Sequence, residues 1–139
     1  DDEMRHFTLG NLAVPVRDLG DDRRATDLAR QALALLPRIF NPYMIASELW
    51  SASKLAHLQG RTEPAARLAA ASLRLRERNG IGIEPFNAAE IEEEVAALRT
   101  ELGADAFDAA WAAGESMEVA AAIEEAIAVT NEEVVEGCA

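Results

Sequence analysis

The chain has 139 residues, half of them apolar, 5% aromatic, with one cysteine and a net charge of −12. That length suits a single domain burying about two-thirds of its unfolded surface. No apolar run approaches the roughly 20 residues that cross a bilayer, so no membrane contact is expected. Alanine supplies much of the apolar share, which favours close-packed helices over sheets.

The charge is split unevenly. Residues 1–83 carry 12 basic and 10 acidic side chains, whereas residues 84–139 carry one basic residue, Arg99, against 15 acids. An acidic half repels phosphates and argues against direct nucleic-acid contact by this chain. Cys138 stands one residue from the end, so no internal disulfide forms and a reducing, cytoplasmic setting is expected. No signal peptide opens the sequence, and its first residue is Asp1, which reads as a piece of a longer protein.

Stop and start signals predict about seven helices, near 3–18, 22–37, 42–59, 63–79, 88–102, 104–113 and 116–130. In the first, Pro15 removes a backbone donor and predicts a kink. Gly20 and Pro37 bracket the second. Asn41 followed by Pro42 reads as an N-cap with proline at the first helical position. Thr62 is placed to cap the fourth helix, and Asn87 with Glu90 has capping-box spacing for the fifth. Gly114 is expected to end the sixth as a C′ residue, with Ser116 capping the seventh. Residues 131–139 read as a frayed tail. No segment alternates with period two, so strands are not expected.

The first four helices repeat. "NLAVPVRDLGDDRRATDLARQALALLP" and "ELWSASKLAHLQGRTEPAARLAAASLRL" align on Gly20 and Gly60, 40 residues apart. Ahead of the glycines lie Leu9, Leu12, Ala13 and Val16 in one copy and Leu49, Ala52, Ser53 and Ala56 in the other. Behind them come Ala25, Ala29 and Ala32, matched by Ala65, Ala69 and Ser72. Small residues there let antiparallel helices approach closely. The pattern resembles a degenerate tetratricopeptide repeat, with Pro37 at the usual closing proline, alanines where large aromatics are usual, and a period above the usual 34 or so. The resemblance implies an all-α solenoid. Residues 1–82 would form two hairpins, and 83–130 an acidic helical cap of the same domain.

In the cap, Ile91, Val95, Leu98 and Leu102 share one helix face and the opposite face is acidic. Arg67, Arg74 and Arg78 form a stripe on the preceding helix and are expected to meet those acids. Further on, Phe107 and Trp111 stand one helical turn apart among alanines. They are expected, with Gly114, to seal the last hairpin, since a terminal repeat must cover a bare face. A stacking platform at Trp111 is the alternative, disfavoured because the polar residues beside it are acids.

The order of an Ala-rich helix (65–78), Pro85, Leu102-Gly103, Phe107, Trp111, Gly114 and "EEAI" at 124–127 is similar to the end of the helical sensor region of large bacterial ATP-binding transcriptional regulators, the MalT-like and LuxR-type family. That resemblance implies a sensing or protein-contact module, with ATP bound and DNA read elsewhere in the parent chain. This chain itself has no Gly-x₄-Gly-Lys-Ser/Thr loop and no basic helix-turn-helix. No cofactor is expected in it.

Catalysis is not expected either. Cys138 lies in the tail, and neither His6 nor His57 is framed by a nucleophile or metal motif. "EIEEEV" reads as a solvated acidic helix face. The candidate site is Trp50, Lys54 and His57, at i, i+4 and i+7, with Arg17, Val14 and Phe7 taking equivalent places in the first repeat. In a tetratricopeptide hairpin these positions face the concave groove. An aromatic platform, a cation and a titratable ring suit an anionic or peptide ligand. The alternative puts Trp50 in the core and leaves Lys54 and His57 merely exposed. The chain is therefore expected to bind a small effector or a protein partner. A non-sensing scaffold is the competing class, and homodimerisation through alanine-rich faces is left open.

Overall fold

Local capping chemistry explains where the central hairpin begins and turns. The computed structural model describes residues 22–35, 41–83 and 85–136, together with Asp2, Met4 and Arg5. From Asp22 on, six helices follow one another among the described residues: α1 (Asp22–Ala34), α2 (Pro42–Leu58), α3 (Thr62–Arg78), α4 (Pro85–Leu102), α5 (Ala104–Ser116) and α6 (Val119–Glu136). No strand occurs among the described residues. Met4 and Arg5 are helical, but the rest of the expected helix 3–18, including Pro15, lies outside the described residues, as do Gly20 and Pro37.

Asn41 starts α2 as expected. Its backbone is extended, and its Oδ1 accepts the Met44 N–H at 3.2 Å with Pro42 at the first turn. Replacing Asn41 by Ala removes that acceptor and should cost about 1 kcal/mol. Urea denaturation checks this: the midpoint should fall while the slope stays unchanged. At the other end of α2, Gly60 takes a φ of +79°. The Gly60 and Arg61 amides donate back to the His57 and Ala56 carbonyls at 3.0 and 2.9 Å, closing the helix and reversing the chain.

Every hairpin position aligned on Gly60 is buried: Leu49, Ala52, Ser53 and Ala56 on α2, and Ala65, Ala69 and Ser72 on α3. The two serines also form hydrogen bonds across the pair. Ser53 donates to the Ala65 carbonyl at 2.7 Å, and Ser72 donates to the Ala46 carbonyl at 2.6 Å. Each hydroxyl thus has a partner inside the core, as buried polar groups require, and the two bonds set the hairpin's register at two levels.

α3 is the hub and packs against α2, α4, α5 and α6. Its run of Ala65, Ala66, Leu68, Ala69, Ala70, Ala71 and Ser72 is wholly buried, which only small side chains permit on so many sides. α6 lies against α1, α2 and α3, through a buried stripe of Ala122, Ile123, Ala126 and Val129. α1 and α6 are therefore neighbours although far apart in the chain.

Several helix ends differ from expectation. Thr62 is the first residue of α3, and Arg61 stands at its N-cap without a side-chain cap bond. The Thr62 hydroxyl instead reaches Glu101 Oε2 at 3.3 Å. α4 begins at Pro85, whose preset φ suits a first turn, so Asn87 and Glu90 lie inside the helix rather than forming a capping box. Gly114 does not end α5: the helix runs through it to Ser116, which therefore closes α5 instead of capping α6. A Cβ at Gly114 would lie 2.2 Å from the Arg67 carbonyl oxygen, so the glycine marks where α5 presses on the backbone of α3. α6 continues to Glu136, since no stop residue precedes Gly137.

Candidate functional site

The spacing of Trp50, Lys54 and His57 brings all three to the side of α2 along which α4 lies. Arg17, Val14 and Phe7, their expected counterparts, lie outside the described residues. Trp50 is half-buried and packs on the core cluster. It also lines a cleft of about 300 Å³ between α2, α3 and α4. Tyr43, Lys54, Arg76, Ile83 and Glu90 supply the rest of the wall that matters chemically. Tyr43 and Ile83 are 56% and 41% exposed, which makes part of the rim apolar. The Arg76 guanidinium carbon stands 5.4 Å from the centre of the Tyr43 ring, a cation–π distance.

Lys54 is not free. Its Nζ pairs with Glu90 Oε1 at 2.8 Å, and that hydrogen bond and charge hold the Glu90 carboxyl below its ordinary range. His57 is held more tightly. Its Nδ1 meets Glu94 Oε1, and its Nε2 meets Glu101 Oε2 at 2.8 Å. Burial pulls the imidazolium's pKa down, but hydrogen bonds to Glu101 and then Glu94, together with their charges, leave it raised overall. Glu101 is lowered in return, first by its bond from His57.

The acids of α4 thus partner α2, not the arginine stripe of α3. Arg67 instead pairs with Glu125 of α6 at 2.7 Å and with Glu63 at 3.0 Å, and Arg74 pairs with Glu77 at 3.2 Å. The bond to Glu125, outweighing burial, raises the already high Arg67 pKa. Nor is "EIEEEV" simply a solvated face: Glu90 and Glu94 reach α2, while Glu92 and Glu93 are exposed. Glu90, Glu94 and Glu101 at i, i+4 and i+11 share one helix face, and that periodicity was legible. Which neighbour it would meet was not.

Phe107 and Trp111 stack with ring centres 5.3 Å apart and planes at 25°. Phe107 is 2% exposed; Trp111 is half-buried and packs against the same core. Arg99 covers the Phe107 ring with its guanidinium carbon 4.6 Å from the centre, tying α4 to α5.

No family model, curated protein or solved structure matches the chain. The site's chemistry therefore rests on the residues themselves. Tyr43 and Arg76 were missed from the sequence, although Tyr43 stands two helical turns before Trp50 and so on its face. Among the described residues, no group of three or more His, Cys, Asp or Glu is arranged to hold a metal ion. No helix among them is long and apolar enough to cross a membrane.

Proposed function

We propose that the chain is a sensor or protein-interaction module of a bacterial transcriptional regulator, holding an effector or partner segment in the cleft beside Trp50 and so biasing the parent's switch. The observation that carries the reading is the cleft itself, where two aromatic rings, Tyr43 and Trp50, stand with two cations, Lys54 and Arg76. That set favours a planar anion or an anionic peptide end: rings take the flat face and cations take the charge. The regulator assignment, the tetratricopeptide-like solenoid and the non-catalytic role rest on the resemblances in the α2–α3 hairpin and the Phe107–Gly114 element. ATP would belong to the parent chain.

Benzoate, inorganic phosphate and a short acidic peptide are the probes. The reading expects a saturable shift of the Trp50 indole N–H in NMR spectra with at least one of them. Lys54→Gln and Arg76→Gln should each weaken that binding about tenfold or more without loss of helicity, since a hydrogen bond to a charged group contributes about 1.5–3 kcal/mol and each 1.4 kcal/mol is tenfold. If all three probes leave Trp50 unmoved, the cleft reading falls. The scaffold reading then gains, and one observation favours it: Lys54 and His57 are already engaged by α4.

A further inference from the structure

Both ring nitrogens of His57 face carboxylates of another helix, α4. A neutral imidazole carries one N–H and one lone pair; only the imidazolium donates from both nitrogens. With Glu94 at Nδ1 and Glu101 at Nε2, the neutral ring would turn a lone pair toward one carboxylate or the other. Thr62 at the start of α3 also donates to Glu101, so the doubly bonded arrangement spans α2, α3 and α4.

We propose that His57 is a protonation-dependent clamp: as imidazolium it fastens α4 onto α2, and on losing its proton it loosens α4 and the cleft wall that α4 provides. The other charged groups of the elements that meet here have their own places. Lys54, one turn earlier on α2, is taken by Glu90. Glu63 on α3 is taken by Arg67, and Arg61 stands in the connecting turn. The Lys54 hydrogen bond and charge hold the Glu90 carboxyl below its ordinary range, so the proton that matters near neutrality is the one on His57.

α4 is suited to respond. Its only fully buried side chain among those described is Leu98, with Val95 and Leu102 half-buried against the core. The polar contacts to α2, at Glu90, Glu94 and Glu101, are therefore a sizeable part of what holds this helix, whose Asn87, Glu90 and Ile91 line the cleft. The raised His57 pKa agrees in sign. A group whose pKa rises on docking contributes its full stabilisation below its ordinary value, about pH 6.5, and loses it as pH climbs through the docked-state value. Each unit of elevation corresponds to a tenfold change in the docking equilibrium.

The test follows the His57 ring by NMR while amide exchange in α4 is normalised to that in α2 and α3 at each pH. The clamp requires a ring pKa above about 6.5. It also requires that α4 protection fall through that same pKa, by tenfold for each unit of elevation. Glu94→Gln and Glu101→Gln should each lower the ring pKa, and His57→Gln should make the normalised α4 exchange independent of pH over this window. A ring that titrates at or below 6.5, a pKa unmoved by both glutamine variants, or normalised α4 exchange that stays flat while the ring titrates would each overturn it. If His57→Gln fails to fold, the two glutamate variants decide alone. The clamp concerns α4 and α2 whether or not the cleft holds a ligand, so its failure and that of the effector reading are separately visible.

Discussion

Gly114→Ala is expected to destabilise the chain by about 2 kcal/mol or more, although alanine is the better helix former. A Cβ at this position would stand 2.2 Å from the Arg67 carbonyl oxygen, 2.9 Å from the Arg67 carbonyl carbon and 2.8 Å from Ala70 Cβ. Two of those three atoms are backbone of the hub helix, so no side chain can swing aside to make room. Relief requires α5 to move off α3, which disturbs the seat of Phe107 and Ala110, both buried on α5. Overpacking of this kind costs about 1–3 kcal/mol and occasionally more, and contact with backbone places it at the upper end. The gain in helix propensity returns about 1 kcal/mol at most. The melting temperature should fall by about 8 °C, taking roughly 4 °C per kcal/mol for a chain of this size. Gly82→Ala is the control: nothing lies within 4 Å of its added methyl and its φ is not left-handed, so its effect should be near zero. Calorimetry that found Gly114→Ala as stable as the parent would show that α5 and α3 are not in backbone contact.

Leu98→Ala should release one helix rather than weaken the whole fold. Leu98 is completely buried, while the rest of α4's described apolar face is only half-buried and its remaining ties are polar. Truncation of a buried leucine costs about 2–5 kcal/mol, according to how well the site collapses. At about 3 kcal/mol, amide exchange in α4 should quicken by more than 100-fold, since each 1.4 kcal/mol is tenfold. The α2–α3 hairpin keeps its buried alanines and both interhelical serine bonds, and should change far less. Exchange measured by mass spectrometry separates these regions. Equal acceleration everywhere would mean that α4 unfolds only with the core. Because α4 forms one wall of the cleft, Leu98→Ala should also weaken any probe that binds beside Trp50, without touching a residue that lines it.

Much of the helical frame was legible because its signals are local. Asn41-Pro42 is a cap written in two adjacent residues, and Gly60 answers a backbone that must turn left-handed. The alignment on Gly60 found seven positions that are all buried, since small residues recurring at helical spacing have one physical use: close approach. Trp50, Lys54 and His57 were placed on one side by the same periodicity. The helix ends that went astray depend on neighbours. Gly114 reads as a stop until α3 is known to press on it, and Thr62 reads as a cap until Glu101 is known to stand within reach.

The sequence by itself determined that this chain is helical, where its central hairpin turns, and which small residues let that hairpin close. These follow from backbone geometry and spacing within a few turns of one helix. Only the tertiary structure decided that the acids of α4 meet Lys54 and His57 instead of the arginines of α3, and that α6 returns to lie against α1. Charge attracts without direction, so an acidic face can satisfy any basic stripe that packing brings near. Which stripe that is depends on how buried alanines and leucines from distant segments fit together.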